Sequence, residues 1–480
     1  MLNRQLTVEA VAGSGSFQNS LWQTSALDQH VTAVRRLIWV YFWILIFEGA
    51  VRKWVPPLSM PFLVVRDPLA LLIYIQAARC GRFPINAAMI TYFVLVIPFI
   101  LLAIIQIVLG VGGGPLVAAY GLRTDFLHLP LIFVIPEVFS YADVVKVGKW
   151  ILILSIPMAA LMSLQFMSAP NSWINAATTG DVQQIAFVEG KIRPAGTFSF
   201  ITGAAHFFIL ATAFLIYGLA EKRSSYSRWL LAGALFSVAI VQPESGSRTL
   251  VLGCALIAVA AIVFAIMNPQ RAHRIFAMAV LIGAAVGVLS FTSFFQEAVT
   301  AFMTRWDSAN AAWGGAQHGL VWRFFNAFLE PIDMLPAAGF IGKGLGMGTS
   351  VGSKLMTGAT QFLLAENEWP RVVLESGPVL GFSFLAYRVW IAGTIAIGAA
   401  GAARRQHLLA WLLAWHACPS LVTEQLSQPT NLGFMILAGG LCLAALPRNG
   451  PGPRVIQETN SDRLRKPRHS SRPASLAEIS

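Results

Sequence analysis

The chain has 480 residues and a formal net charge of +12, and 12% of its residues are charged, against about a quarter in ordinary soluble domains. Hydrophobic residues make up 56% of it, and long apolar runs recur from Leu37 to Pro447. This composition excludes a soluble globular protein. It indicates an all-α polytopic membrane protein, because unpaired backbone groups are not tolerated in lipid and each helix needs about 20 apolar residues.

The N-terminal 36 residues are polar and lack the apolar core of a cleavable signal peptide, so we expect the first span to remain as an uncleaved anchor. The apolar segments that follow predict about twelve membrane helices. The first six are 37–51, 61–78, 86–109, 124–140, 148–167 and 197–218. The second six are 229–241, 249–267, 275–293, 372–398, 407–421 and 430–446.

Orientation follows from the basic residues, because cytoplasmic loops retain Lys and Arg. Most of the 34 Lys and Arg residues lie in alternate connections and in the two terminal segments, so both termini are expected in the cytoplasm. This placement indicates topology rather than nucleic-acid binding. The predicted parts are a cytoplasmic N-terminal segment 1–36, helices 1–9 over 37–293, a periplasmic loop domain 294–371, helices 10–12 over 372–447 and a disordered basic cytoplasmic tail 448–480.

The tail is rich in Pro, Ser and Arg, and it either anchors the topology or lies against anionic headgroups. The cysteines and histidines lack metal-ligand spacing, so they are predicted to be packing or hydrogen-bonded residues, and neither a metal nor another cofactor is expected. The cysteines are Cys80, Cys254, Cys418 and Cys442. The histidines considered are His128, His206, His318 and His416.

Charged side chains within or beside spans usually face a cavity or a partner. Three groups of them are expected on the outer side, and adjacent opposite charges in each predict local salt bridges or snorkelling at the interface, with a functional role as the alternative. These groups are Glu48 with Arg52 and Lys53, Arg66 with Asp67, and Arg123 with Asp125.

Two further arginines are predicted to bind an anion. Arg193 opens the segment RPAGTF before the sixth helix, and Arg248 closes ESGSRT at the start of the eighth. A helix N-terminus favours anions, and an arginine fork binds phosphate through two hydrogen bonds. Two such forks at one cavity would suit a diphosphate, whereas arginines anchored at the membrane interface are the alternative.

The predicted loop contains GKGLGMG at 342–348, which lacks the ending and the preceding strand of a P-loop and is predicted to be a tight turn. Where the loop returns to the membrane, Arg371 can pair with Glu368 and Glu375 at helical spacing. Glu366 has no such partner. It is either a general base toward a sugar hydroxyl or an acid that complements a helix start.

In these features the chain resembles the superfamily of O-antigen ligases and O-antigen polymerases. The resemblance rests on the number of spans, the large loop before the tenth helix and four short motifs in order. These are Arg193 to Gly196, Ser247 with Arg248, the glycine turn Gly344 to Gly348, and Asn367 followed by Glu375 and Gly377.

The resemblance implies a GT-C-like helical fold in the bacterial inner membrane. It also implies an inverting, metal-independent glycosyltransferase that uses an undecaprenyl-diphosphate-linked oligosaccharide donor and a glycan acceptor at the periplasmic face. Arg193 and Arg248 would hold the diphosphate, and Glu366 would deprotonate the acceptor. The residues expected to bind substrate or to orient such groups are Arg123, Arg323, Lys343, Asn367 and Arg371.

Ligases of this family usually have histidine before the conserved Asn, whereas this chain has Glu366. That departure favours a polymerase of O-antigen or exopolysaccharide units over a lipid A core ligase. A polysaccharide transporter or flippase and a non-catalytic assembly partner remain the competing classes, although the two halves of the chain lack the matching broken helices common in transporters. Expected partners are membrane lipids and polysaccharide assembly proteins, with no nucleic acid.

Overall fold

The structure is a computed structural model that describes residues 29–178, 191–221, 225–312, 323–359, 361 and 363–447. Its described part is all-helical, with no strand among these residues. Most of the predicted N-terminal segment, the tail 448–480 and His318 lie outside the described residues.

Sixteen helices are present in the described part of the chain. The first nine are α1 Gln29–Trp54, α2 Pro56–Arg79, α3 Ala87–Val108, α4 Gly114–Val138, α5 Tyr141–Met167, α6 Ile201–Ala220, α7 Arg228–Glu244, α8 Arg248–Met267 and α9 Pro269–Ser290. The others are α10 Ser293–Ala312, α11 Arg323–Asp333, α12 Leu335–Ala338, α13 Ser350–Thr357, α14 Glu368–Arg404, α15 Leu408–Thr423 and α16 Pro429–Ala445.

Every predicted apolar segment coincides with a helix. Within the described residues, nine helices are long and apolar enough to cross a membrane, namely α1 to α6, α8, α9 and α14. The remaining predicted segments form the shorter helices α7, α15 and α16. The protein is therefore a multi-pass α-helical membrane protein, whereas twelve crossings and their direction stay predictions.

Burial separates the central helices from those at the periphery. In the most apolar stretch of α6, 94% of the residues are buried, and its Ala and Gly positions let neighbouring helices pack on every side. By contrast, only 22% of the residues are buried in the most apolar stretch of α9, and many of its apolar side chains are exposed. We therefore place α6 at the centre of the helical bundle and α9 at its lipid-facing edge.

The tenth predicted span extends beyond its expected bounds at both ends and is broken within them. Its helix α14 begins at Glu368 rather than at residue 372, and Gly377 interrupts it with φ 76° and ψ 167°. A residue with a side chain rarely adopts such a positive φ, and Pro378 follows at once. The predicted loop before it contains α10 to α13, so much of this segment is helical.

A candidate anion site and a buried charge network

The segment that carries Arg193 is held rigidly by side chains from two helices. Gly196 adopts a φ of +60°, and its carbonyl oxygen accepts a hydrogen bond from Nζ of the buried Lys53. Gln165 binds both polar backbone atoms of Gly196, because its Nε2 donates to the carbonyl at 3.2 Å and its Oε1 accepts from the amide at 2.8 Å. These bonds fix the backbone three residues after Arg193.

Helix α1 packs directly against the same segment. A Cβ atom at Gly49 would overlap the backbone nitrogen of Ser199, so this position has room only for glycine. The Thr197 hydroxyl donates to the carbonyl of Ile46 at 2.7 Å, and Arg52 donates from Nη1 to the Ser199 hydroxyl at 3.3 Å. The close approach explains why a glycine follows Glu48 within an otherwise bulky helix.

Arg248 lies at the N-terminus of α8. The Ser247 hydroxyl caps this helix by accepting the backbone N–H of Leu250 at 3.3 Å, and Gly246 with φ +55° forms the tight turn from α7. The first backbone N–H groups of a helix have no partners within it and carry partial positive charge. The arginine and the helix end therefore add positive potential at the same place.

Helix α10 closes the site from the predicted loop. Phe294 packs edge-on against Phe166 at the end of α5, with ring centroids 6.1 Å apart, and Lys191 forms an ion pair with Glu297 at 3.0 Å. The same helix carries Trp306, whose ring centroid lies 6.0 Å from the guanidinium carbon of Arg248. These contacts connect α10 to the segments of both predicted arginines.

Arg193, Arg248 and Arg305 together form what we call the arginine cluster. Burial, together with the positive charges of Arg305 and Arg248, lowers the pKa of Arg193 to about 10. Burial and the charge of Arg248 likewise lower the pKa of Arg305. All three remain charged at neutral pH. Because like charges repel, an anion bound among them would relieve this repulsion.

One atom of the cluster points to the same conclusion. Nε of Arg193 is buried and has no hydrogen-bond acceptor among the described residues. A buried polar atom without a partner in a native structure calls for an explanation such as an unseen water or ion. The cluster thus includes the two arginines singled out in the sequence, and their binding of an anion stays a prediction. It adds Arg305, whose sole sequence signal is an Arg-Trp pair within a polar helix.

The other predicted residues of the loop occupy several places. Glu366 is exposed in the turn before α14, and Asn367 at the helix start donates from Nδ2 to Oε2 of Glu330 at 2.7 Å. The Lys343 side chain is exposed, and Arg323 begins α11 with a side chain outside the described part. A shared site for Glu366 and the arginine cluster stays a prediction.

Arg371 belongs to a second group, which we call the buried charge network: Asp125, Glu368, Arg371, Glu375 and Arg388. Arg371 donates from Nε to Glu368 at 2.9 Å, from Nη1 to Glu375 at 2.8 Å and from Nη2 to Asp125 at 2.8 Å. Arg388 donates to Glu368 at 2.7 Å. Each of the three guanidinium nitrogens of Arg371 thus binds a carboxylate, so this arginine orients the acidic side chains around it, and a contact with substrate stays a prediction.

The glycine turn 342–348 packs on this network. Gly342, Gly344 and Gly346 all have positive φ, as the prediction of a tight turn requires. The Gly348 amide donates to Oε1 of Glu375 at 2.7 Å, and Gln106 of α3 donates to the Glu375 carbonyl at 2.9 Å. The turn therefore packs between α3 and α14 and helps to hold these two helices together.

Two of the predicted local salt bridges are wrong in their partners. Arg66 binds Glu48 at 2.7 Å rather than its neighbour Asp67, and Arg123 binds both oxygens of Asp67 at 2.7 and 2.8 Å rather than Asp125. Adjacent residues on a helix point in different directions, so they cannot face each other. Only the Arg52–Glu48 pair, at 3.6 Å, is local as predicted.

Among the described residues, no three His, Cys, Asp or Glu side chains lie close enough to hold a metal ion together. His128 and His206 contact Asp67 at 3.0 Å and Glu424 at 3.3 Å, as expected for hydrogen-bonded residues. No family model matches the chain, and no curated protein sequence matches it. The resemblance to O-antigen ligases and polymerases therefore stays an expectation from the spans, the loop and the motifs of the sequence.

Proposed function

We propose that the protein is a glycosyltransferase that acts at the periplasmic face of the inner membrane. It would elongate or transfer a glycan carried on undecaprenyl diphosphate. The observation that carries this proposal is the arginine cluster. Three arginines from separate segments, with a helix N-terminus among them, supply the positive charge and the hydrogen-bond donors that a diphosphate requires. The motif order of the O-antigen polymerase family, and the departure at Glu366, favour a polymerase over a ligase.

In the proposed reaction the acceptor hydroxyl oxygen attacks the anomeric carbon of the donor sugar from the face opposite the diphosphate. The carbon–oxygen bond to the diphosphate breaks, so the configuration inverts and undecaprenyl diphosphate leaves with the bonding electron pair. The acceptor proton passes to the carboxylate of Glu366. Arg193, Arg248 and Arg305 stabilise the negative charge that develops on the leaving group, each contributing a few kcal/mol.

The test is a turnover assay of the purified full-length chain with an undecaprenyl-diphosphate oligosaccharide, in which chain growth or transfer is followed. Arg193→Ala and Arg248→Ala are each expected to lower turnover at least about tenfold. Glu366→Gln should do the same if that carboxylate is the base. Arg79→Ala, an exposed arginine on the predicted cytoplasmic side, and Asp333→Asn, an exposed acid of the predicted loop, serve as controls.

The outcomes separate the competing classes. Normal turnover in both arginine variants would remove the cluster from the mechanism, whereas normal turnover in Glu366→Gln alone would remove only the proposed base. Movement of an intact lipid-linked oligosaccharide across a vesicle membrane, with no new glycosidic bond, would favour a flippase. Binding of that donor without turnover or transport would favour an assembly partner.

A further inference from the structure

A cleft of about 330 Å³ opens between α7 and α9 on the lipid-facing edge of the bundle. Its lining combines the small side chains of Ala232, Ala284 and Ala285 with larger apolar residues such as Leu231 and Leu281. Arg228 is the sole charged residue in its lining. The cleft is therefore apolar, with one cationic residue in its lining. It shares no residue with the arginine cluster.

Arg228 is the first residue of α7, where the Ser227 hydroxyl caps the helix by accepting the Leu230 amide at 3.2 Å. Its side chain is exposed and makes no hydrogen bond or ion pair with another described residue. Arg271 of the neighbouring helix differs, because it is paired with Glu221 at 2.9 Å. Arg228 thus gives the lining of the cleft a charge that no described residue neutralises.

The cleft also faces the hydrocarbon of the bilayer. Phe236, Leu281 and Val288 on its rim are 40%, 46% and 60% exposed. Trp229, beside Arg228, is 82% exposed, as is typical of tryptophans at the boundary between hydrocarbon and headgroups. From Leu281 to Val288 the wall rises about 10 Å at 1.5 Å per residue, which fits the upper part of an acyl chain.

We propose that this cleft binds an anionic phospholipid, with one acyl chain between α7 and α9 and the headgroup phosphate on Arg228. The apolar lining recognises the chain, and the guanidinium of Arg228 selects a lipid of net negative charge over a zwitterionic one. The small residues of the lining provide the space, so their enlargement excludes the chain. This site is independent of the proposed glycosyltransferase activity.

The test uses native mass spectrometry of the full-length protein in detergent, titrated with phosphatidylglycerol or with phosphatidylcholine of the same acyl chains. The wild-type protein should retain phosphatidylglycerol preferentially. Arg228→Gln should bind it about fivefold more weakly, the change that one basic residue near an anionic lipid produces. Ala284→Phe fills part of the cleft and should reduce binding of both lipids.

Arg79→Gln is the matched control, because it removes an exposed arginine from the same predicted side without touching the cleft. Equal binding of the two lipids by the wild type, or unchanged selectivity in Arg228→Gln, would overturn the proposal. A dimer mass that appears as the lipid is lost would overturn it too, since a second copy would then occupy the cleft. Arg228 is exposed, so its replacement leaves folding intact and keeps the test decisive.

Discussion

The buried charge network and the arginine cluster both place arginines beside apolar helices, but the charges that act on Arg371 and on Arg193 differ in sign. In the network, Arg371 donates to three carboxylates and Arg388 to one of the same three. In the cluster, the charges that shift the pKa of Arg193 belong to Arg305 and Arg248. A network whose charges neutralise one another holds helices together, whereas arginines that repel one another suit a ligand that supplies negative charge.

The largest expected effect is the loss of the central cation of the network. Arg371→Met removes the positive charge between Asp125, Glu368 and Glu375, so three buried carboxylates would face one another with Arg388 alone to balance them. Breaking a buried ion pair costs about 3–5 kcal/mol. Thermal unfolding in detergent should show a loss of this size, against no measurable change in Arg79→Met. A stable Arg371→Met protein would show that the network does not hold the fold.

The glycine turn on the network gives the next effect. Gly346 has φ +82°, and a Cβ there would overlap the carbonyl oxygen of Val117. Gly346→Ala should therefore destabilise the protein by at least about 2 kcal/mol. Gly283→Ala in α9 is the matched control, because nothing lies within 4 Å of its added Cβ, and it should be neutral or slightly stabilising. Equal melting temperatures for the two variants would contradict a structural role for the glycine turn.

Gln165 holds the backbone of the segment that carries Arg193. Its replacement should lower stability less than the two changes above, and it should also lower activity. Gln165→Leu removes both hydrogen bonds to Gly196 and leaves its amide without that acceptor, at about 1–3 kcal/mol, whereas the carbonyl keeps its bond from Lys53. Because Arg193 would then move, turnover should fall together with donor affinity. Gln296→Leu, at an exposed glutamine of α10, is the control and should leave both unchanged. Full activity in Gln165→Leu would mean that the segment holds its shape without this side chain.

The smallest effect on stability is expected within the cluster itself. Arg193→Ala should change the free energy of unfolding by less than about 0.5 kcal/mol, or raise it, because it removes a repulsive charge. Thermal unfolding of Arg193→Ala and Arg371→Met under the same conditions would measure this contrast. A loss of several kcal/mol in Arg193→Ala would place this arginine in a structural role like that of Arg371.

Apolar runs were sufficient to predict the helix positions, because a membrane leaves few alternatives for a backbone in lipid. Helix ends were predicted less well. The first span was expected over 37–51, yet α1 runs from Gln29 to Trp54, since polar residues at both ends continue the helix. Likewise, the break at Gly377 depends on the glycine turn packed against it, where a Cβ would overlap the carbonyl oxygen of Phe340.

The candidate site was predictable only where charge and local backbone signals coincide. Arg248 follows Gly246 closely at the start of α8, and Arg193 precedes Gly196 by three residues and α6 by eight, and these local features indicated an anion site. Arg305 has no such local signal, so its place in the cluster follows from how α10 packs on Phe166. The partners of Arg66 and Arg123 also lie on other helices, and tertiary packing alone determines them.

The central claim is that the arginine cluster binds the diphosphate of a lipid-linked donor. Its most direct test is the affinity of the full-length protein for an undecaprenyl-diphosphate oligosaccharide, measured for the wild type and for the double variant Arg193→Ala with Arg248→Ala. We predict at least about tenfold weaker binding in the double variant, because two charged hydrogen-bonding groups are lost. An unchanged affinity in a correctly folded double variant would contradict the claim.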